Sequence, residues 1–576
     1  FAANKVFRSD DRGNSWNVIS DDLTAQINRN ELKVMGRVWG IDAVAKNVST
    51  SPYGTIVAMD ESPLDPDLLF IGTDDGLIQI TTDGGKTWMK ASQPAGVPAN
   101  TYVNMVLGSQ FDKQVLYACY NHHKEGDFKP YVFKSTDLGK TWMSITSNLP
   151  ERGSSYAIAE DFVDKDLLFV GTEFGAYFSN NGGQSWKALK AGLPTIAIRD
   201  IAIQKRETDL VLASFGRGFY VLDDYSALRN SKEADLTAAA TLYPVRDALQ
   251  YELSTPLGLP KKGFQGDNYY LGDNLGPVAL ITYYVKDKIE SLKDKRQGEE
   301  KKAAKDGKDN PYPTYDALKA EEDQPDAYLL FTISDADGNM VRKLTTSPGT
   351  GVQRIQWDLR YAPKDPVSLG GPSFYNPFAG PDQGRMVDPG RYQVSLSKSE
   401  NGMITPLAGP VFFEVKALNN TTLPATNRED LVAFQDEVTD LARVVQGAQR
   451  TMGSVQNKMR LMKEAIKATE ADQEMLMKSW LDIDQQLSSL RTEISGDRIA
   501  SQLDIDTPPS LTNRLYSVLY EASASTSAPT KTHRDTYMLA KEQFGPWYTK
   551  FKALISGPFA QLQQKLVDAG APYTPD

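Results

Sequence analysis

Residues 81–88 read TTDGGKTW, and three other stretches of the chain follow the same pattern, Ser/Thr-x-Asp-x-Gly-x-Ser/Thr-Trp. We call each copy a box; the others are SDDRGNSW at 9–16, STDLGKTW at 135–142 and SNNGGQSW at 179–186, the last with Asn181 in the third place. A carboxylate or amide there can accept hydrogen bonds from backbone N–H groups of its own turn, and the glycine permits a positive φ. Each box therefore predicts a tight hairpin whose acidic residue braces the turn and neither catalyses nor binds metal.

Pairs of strand-like runs precede the boxes, for example 56–59 with 68–73 and 156–159 with 167–172. Residues 201–222 repeat such runs after the last box but end without a box of their own. The boxes recur at intervals of roughly 45 to 70 residues, which suits the four-stranded sheets, or blades, of a β-propeller. The tryptophan closing each box is large enough to fill the gap between neighbouring blades. Residues 1–225 are therefore predicted to form β-propeller blades.

The first of these blades is incomplete in the sequence. Only eight residues precede the box at 9–16, too few for two strands and their connection. We therefore expect this chain to be the C-terminal part of a larger propeller. An upstream propeller segment or a separate chain is the expected partner that supplies the remaining strands and blades.

Composition narrows the class of partner. The 576 residues carry a net charge of −11, which argues against nucleic acid and anionic membranes as partners. No run of about 18 apolar residues predicts a membrane span. A single cysteine, Cys119, excludes internal disulfides, and only three histidines argue against multi-histidine metal sites. We expect no cofactor and no metal.

The pattern changes after residue 225. A turn-rich connector is predicted for 226–276, followed by a β-sandwich at 277–416 with a charged insertion at 286–326. Alternating apolar residues on both sides of Asp337-Gly338 predict a hairpin in the sandwich, and an immunoglobulin-like closure is expected. Apolar residues spaced by three and four dominate 427–570, which predicts a helical bundle. The fold class is therefore mainly β and multidomain, with a partial propeller, an immunoglobulin-like sandwich and a C-terminal helical bundle.

The boxes and several longer stretches resemble those of large bacterial BNR-repeat or sortilin-type β-propeller proteins, often labelled glycosyl hydrolases, in which the boxes are known as Asp boxes. The longer stretches are ISDDLT at 19–24, DESPLDPDLLFIGTDDGLIQIT at 60–81, SFGRGFYVLDD at 214–224, QWDLRY at 356–361 and DPGRYQV at 388–394. The resemblance covers most of residues 1–415. It implies the fold but no single activity, because Asp boxes also occur in sialidases, xyloglucanases, photosystem assembly factors and sortilin receptors.

A binding scaffold is the function we favour from the sequence. Propellers present loops around a channel, and the segments that enter the inner strands offer aromatic and guanidinium groups suited to peptide or glycan recognition. The candidate ligand-binding residues are Tyr53, Tyr102, Tyr156, Arg199, Asp200 and Arg217, and Arg37 and Trp39 could contribute. The alternative is that these side chains pack between blades. We expect an extracytoplasmic protein, in the bacterial periplasm, at the cell surface or secreted, that binds a protein, peptide or glycan in a larger assembly.

A glycoside hydrolase is the alternative function, and the residues leave open whether the chain is an enzyme. Hydrolysis needs two carboxylates roughly 5 to 10 Å apart. Acidic residues near the inner strands from which such a pair could be drawn are Asp60, Glu61, Glu160, Asp161 and Asp200. The Arg-Ile-Pro motif of sialidases does not precede the boxes. No catalytic residue is assigned.

Overall fold

The computed structural model describes the chain except residues 1, 45, 47–52, 191, 233–234, 252–271, 273, 365, 368–383, 419, 421–422 and 576. Much of the predicted connector at 226–276 therefore lies outside the described residues. The chain divides into two compact units, Phe1–Pro244 and Val245–Asp576, and each is described by itself.

The described part of the first unit holds five antiparallel sheets in chain order, numbered sheets 1 to 5. Sheet 1 pairs β1 (Phe7–Arg8) with β2 (Asn17–Val18), and sheet 2 runs β3 (Ile56–Glu61), β4 (Leu69–Thr73), β5 (Ile78–Thr81) and β6 (Met89–Lys90). Sheet 3 comprises β7 (Tyr102–Gly108), β8 (Leu116–His122), β9 (Asp127–Ser135) and β10 (Met143–Ser144). Sheet 4 comprises β11 (Ser155–Glu160), β12 (Leu168–Thr172), β13 (Gly175–Ser179) and β14 (Lys187–Ala188). Sheet 5 comprises β15 (Ile198–Gln204), β16 (Asp209–Ser214) and β17 (Phe219–Leu222), and β18 (Ala240–Leu242) follows.

In sheets 2 to 4 each box forms the turn between the third and fourth strands, and the first box joins the two strands of sheet 1. In the second box, Asp83 Oδ1 accepts from the backbone N–H of Thr87 at 2.9 Å, and Asp83 Oδ2 accepts from the Thr87 hydroxyl at 2.7 Å. The Thr81 hydroxyl accepts from the N–H of Gly85, whose φ is +95°. Hydrogen bonds from Thr87 lower the pKa of Asp83 to about 2. Asn181 accepts from Ser185 in the same way at 3.0 Å, so the acidic residues brace turns as predicted.

Successive sheets pack face to face. The box tryptophans of sheets 2 to 4 each link their sheet to the preceding one through a hydrogen bond. The indole Nε1 of Trp88, Trp142 and Trp186 donates to a backbone carbonyl that follows the preceding sheet, at 3.0, 2.8 and 2.7 Å. Trp186 is 4% exposed and belongs to the core between sheets 3 and 4, whereas Trp16 is 51% exposed. Gly171 allows a close backbone approach between sheets, since a Cβ there would lie 2.6 Å from the carbonyl oxygen of Ile198 in sheet 5.

The second unit begins with two sheets that pack through aromatic side chains. Its strands and first two helices are β19 (Ala248–Gln250), β20 (Ala279–Val285), α1 (Leu292–Lys305), α2 (Tyr315–Asp323), β21 (Tyr328–Asp335), β22 (Met340–Thr346), β23 (Gly351–Trp357), β24 (Gly390–Glu400) and β25 (Met403–Ala417). Antiparallel β20 and β23 form one sheet, and the other has the order β19-β25-β24-β21-β22. The Trp357 ring lies 5.4 Å from that of Tyr392 and 6.1 Å from that of Phe413, and Tyr283 contacts Phe331. The charged insertion carries α1 and α2, joined by an ion pair between Arg296 and Glu321.

Helices complete the second unit: α3 (Arg428–Ala468), α4 (Gln473–Ser495), α5 (Arg498–Gln502), α6 (Leu511–Ala524), α7 (Lys531–Leu554) and α8 (Ala560–Asp568). The apolar stripes of α3, α4, α6, α7 and α8 meet in one core, in which the indole N–H groups of Trp480 and Trp547 donate to helix carbonyls at 2.7 and 2.8 Å. Among the described helices, none is both long enough and apolar enough to cross a bilayer. A mainly β chain with antiparallel sheets and a helical C-terminal region is confirmed.

Candidate functional site

Strand order gives the sheets of the first unit two distinct ends. At one end, which we call the rim, the first (inner) strand of a sheet begins and its second strand ends; the paired residues include Ile56 with Thr73 and Ile198 with Ser214. The opposite end carries the boxes, and we call it the box end. All six predicted binding residues lie at the rim or in a segment that leads into it.

The inner strands of sheets 2 to 5 share an irregularity just inside the rim. Their register with the second strand shifts by one residue, which leaves Val57, Asn104, Tyr156 and Arg199 unpaired at equivalent positions. Such β-bulges redirect a side chain out of the regular alternation of a strand. The same repeated β-bulge therefore positions two of the predicted binding residues, Tyr156 and Arg199.

Tyr156 and Arg199 meet across neighbouring sheets, together with Glu173 and Phe215; we call these four residues the arginine cluster. The guanidinium carbon of Arg199 lies 3.8 Å from the ring centre of Tyr156 and 5.1 Å from that of Phe215. The Tyr156 hydroxyl donates to Glu173, and an Arg199 nitrogen lies 3.9 Å from Glu173 Oε2. Burial, together with the Glu173 hydrogen bond, raises the pKa of Tyr156 to about 12, so the phenol is a neutral donor at physiological pH.

The arginine cluster has a buried part, Tyr156, and an exposed part, Phe215 and Arg199. Tyr156 is 2% exposed, and its carbonyl accepts a 2.8 Å hydrogen bond from the Asn104 amide at the preceding bulge. Phe215 is 68% exposed, and 40% of the Arg199 side chain is exposed. A guanidinium that packs on a ring keeps its N–H groups in its own plane for an incoming carboxylate or carbonyl.

Tyr53 and Tyr102 belong to a second group at the rim, around Asp74 and Asp75. Two backbone N–H groups just ahead of β3 donate to Asp74 Oδ1 at 3.0 and 2.7 Å. Burial, reinforced by Asp75 and Asp74, raises the pKa of Tyr53 to about 12, and burial with Asp74 also raises the pKa of Tyr102. The ammonium of Lys124 lies 5.2 Å from the Tyr102 ring centre. This group is more enclosed and anionic than the arginine cluster.

A hollow of about 720 Å³ adjoins Tyr53. Most of its lining is apolar; the residues are Arg29, Leu32, Val34, Met35, Trp39, Ala43, Val44, Lys46 and Tyr53. Arg37, named with Trp39 from the sequence, stacks on the Trp39 ring at 3.8 Å. The hollow is large enough for one or two apolar side chains of a ligand.

The other two predicted residues stand apart from both groups. Asp200 is exposed beside Arg199, where its Oδ1 accepts from the N–H of Ile201 at 2.8 Å. Arg217 is exposed in the turn between β16 and β17. Sequence reasoning missed Glu173 and Phe215, which occupy one equivalent position, directly after the last rim residue of a second strand. That position follows the recurring strand ends FVGT and VLAS and could have been found by aligning the repeats.

The structure does not gather the acidic residues considered for hydrolysis into one open site. Asp60, Glu160 and Asp161 lie at the box end, away from Asp200 at the rim. Glu160 is 2% exposed and accepts hydrogen bonds from Ser109, Gln110 and Tyr117, while Asp60 accepts from the N–H of Gly108. Burial raises the pKa of both Asp60 and Glu160. Within the described residues, no three His, Cys, Asp or Glu side chains gather to hold a metal ion.

Sheets 2 to 4 are four-stranded antiparallel meanders packed in series, each with a box between its third and fourth strands, and this arrangement is that of β-propeller blades. No protein-family model matches the chain, and neither does any curated protein. A GH74 xyloglucanase from Xanthomonas campestris is similar in structure at 16% identity and a TM-score of 0.25, over 30% of each chain.

Two further solved structures show the same weak likeness. A YCF48 protein bound to a D1 peptide has 19% identity and a TM-score of 0.24, over 30% of this chain and 51% of its own. A GH74 enzyme from Niastella koreensis has 10% identity and a TM-score of 0.26, over 62% of this chain and 46% of its own. The matches span 30%, 51% and 46% of the length of these three proteins. Likeness of this degree does not indicate what this chain binds.

Proposed function

We propose that this chain is an extracytoplasmic propeller scaffold that binds a protein partner through a peptide segment held at the rim. The observation that supports the proposal is the arginine cluster. Arg199 is stacked on a buried tyrosine and flanked by an exposed phenylalanine, with much of its own surface open. Exposed aromatic and arginine side chains in contact are typical of the residues that dominate binding energy at interfaces.

The chemistry of the cluster suits a peptide that carries a carboxylate next to an apolar side chain. The guanidinium would take the carboxylate through two parallel hydrogen bonds, since Glu173 at 3.9 Å does not engage it closely. Phe215 would cover the apolar side chain, and the hollow beside Tyr53 offers a second apolar position at the same rim. A glycan can also stack on aromatic rings, but a neutral glycan would not supply a carboxylate for the exposed N–H groups of Arg199.

The test uses an array of 12-residue peptides and a glycan array, both probed with the full chain. Peptides with an acidic residue next to an apolar one should bind, and R199A and F215A should each weaken that binding by about thirtyfold. R206A is the matched control, because Arg206 is an exposed arginine of sheet 5 at the box end, paired with Glu207. Peptide binding that R199A leaves unchanged, or binding to glycans alone, would contradict the proposal.

The alternative, a glycoside hydrolase, has weaker support in the geometry. Asp60 and Glu160 both contact the turn at 108–110, and the raised pKa of each suits a general acid. However, Glu160 is buried and fully used by internal donors. Reducing-sugar release from xyloglucan that E160Q abolishes, in a variant with unchanged thermal stability, would favour hydrolysis over the scaffold.

The finer family assignment is part of the same proposal. We infer that the boxes are Asp boxes of the BNR or sortilin type and that the chain works in an envelope or secreted assembly. The repeated hydrogen-bond pattern of the four turns supports the first inference. An immunoglobulin-like class for the two-sheet part of the second unit stays a prediction.

A further inference from the structure

In sheets 2 to 4, one face of each sheet is covered by the sheet that follows it in the chain. The equivalent face of sheet 5 is exposed. In sheet 4 this face includes Ala176 and Phe178, which are 1% and 8% exposed and share a core with Ile201 and Leu212 of sheet 5. Strand register makes Phe219 and Val221 the equivalents of Ala176 and Phe178 in sheet 5. Phe219 is 76% exposed and Val221 is 55% exposed.

The exposed face extends across all three strands of sheet 5. Ala202 on β15 is exposed and pairs with Val211 on β16, which pairs in turn with Val221 on β17. Their equivalents in sheet 4, Ala159 and Phe169, are buried. Phe215, 68% exposed, stands where this face meets the rim. A contiguous apolar face of this kind marks an interaction surface.

Packing elsewhere in the unit shows what kind of structure covers such a face. In sheets 2, 3 and 4 the first two strands are covered by the first strand of the following sheet: β7 lies on β3 and β4, β11 on β7 and β8, and β15 on β11 and β12. The second strand of the following sheet adds side chains to each shared core, such as Ala118 of β8, Leu168 of β12 and Leu212 of β16. The covering side chains are apolar. Those that cover sheet 2 include Val103 and Val106 of β7. The cover is thus always a pair of inner strands with apolar residues on the facing side.

We propose that the outer face of sheet 5 docks the two inner strands of a further propeller blade carried by another polypeptide segment. A second copy of this chain fits less well, because the described residues of sheet 1 comprise only a third and a fourth strand, on either side of a box.

Photo-crosslinking tests the docking in cells of the source organism. The full chain carries p-benzoylphenylalanine in place of Phe219 in one version and in place of Tyr520, an equally exposed residue of α6, in the control. Crosslinks from position 219 should fall on strands with alternating apolar residues in a polypeptide that also contains boxes, and position 520 should not give them. Crosslinks to an unrelated sequence or to a second copy of this chain would overturn the proposal.

A second measurement guards against a crosslinking reagent that merely fails to react. Hydrogen exchange of the amides in Phe219–Leu222 should be at least tenfold slower in protein purified from its source than in the recombinant chain alone. F219D should reduce the co-purified blade polypeptide by roughly tenfold while leaving peptide binding at the arginine cluster intact. Equal exchange in both preparations would overturn the docking, whereas loss of rim binding in R199A tests only the scaffold proposal.

Discussion

Replacing Arg229 by methionine should leave a buried carboxylate without its cation. The Asp161 side chain is 0% exposed, and Arg229 holds it with two 2.8 Å hydrogen bonds, from Nε to Oδ2 and from Nη2 to Oδ1. The Tyr225 hydroxyl donates to Asp161 Oδ1 at 2.6 Å. This contact ties the end of β11 to the turn Tyr225–Asn230 that follows sheet 5.

The expected loss is about 3 kcal/mol of the free energy of unfolding, the lower end of the range for breaking a buried pair. The lower end applies because Tyr225 and the backbone N–H groups of Val163 and Asp164 still donate to the carboxylate. For a unit of this size, such a loss lowers Tm by about 6 to 12 °C. Calorimetry of the full chain, with the transition of the first unit followed at pH 7, measures it directly.

The loss should depend on pH with a definite sign. Burial alone would raise the pKa of Asp161, but hydrogen bonds from Arg229 and Tyr225 outweigh it, and the net pKa is lowered. A lowered carboxyl pKa in the folded state stabilises above the unfolded pKa, and that contribution is lost as pH falls through the folded value. The gap between wild type and R229M should therefore narrow when the pH is brought from 7 to below about 4.

R206M and the double variant D161N/R229M complete the design. Arg206 is exposed and pairs with its neighbour Glu207, so R206M should change Tm little. The double variant should lose less than the two single losses added together, because each removes the same interaction. A Tm change for R229M as small as that of R206M, or a gap that widens in acid, would refute the reasoning.

Three further changes test the packing. W186A should lower the free energy of unfolding by about 3 to 5 kcal/mol, because Trp186 is buried between sheets. W16A should lower it by about 1 kcal/mol or less, because Trp16 is half exposed. Equal losses in urea unfolding would contradict the assigned role of the box tryptophans. G171A should destabilise the first unit by about 1 to 3 kcal/mol, since its Cβ would press on the backbone of Ile198, and an unchanged thermal transition would show that the sheets are less tightly packed. G447A should stabilise the second unit by about 0.5 to 1 kcal/mol, because the helix α3 has open space at that position; a lower urea midpoint would refute it.

The repeating sheets could be predicted because their information is local. Each box is eight residues long, and its hydrogen bonds join residues two to four positions apart, such as Thr81, Asp83 and Thr87. The helical region was predictable for the same reason, since its apolar stripes repeat every three or four residues. Local rules also identify the strand ends at which rim residues lie.

The composition of the site could be predicted only in part, because it depends on contacts between sheets. Arg199 contacts Tyr156, Glu173 and Phe215. Tyr156 lies on β11, whereas Glu173 and Phe215 follow β12 and β16, and the packing of sheet 5 on sheet 4 brings them together. Asp161 shows the same limit. Its position next to an inner strand made it a candidate for a hydrolytic carboxylate pair, but in the structure it is paired with Arg229, 68 residues away. Neither pairing leaves a periodic trace in the sequence.

Strand packing in the first unit runs from each sheet to the next, and this arrangement shapes how the unit can come apart. Stability in such a series is roughly the sum of the terms of each member and of each junction, as in a one-dimensional array. Members in the middle, such as sheets 3 and 4, hold two junctions, while sheet 5 holds one junction and sheet 1 consists of two short strands. In the isolated chain, opening should therefore start at sheet 5 and travel inward, so that a protease cleaves near β17 long before it reaches β12.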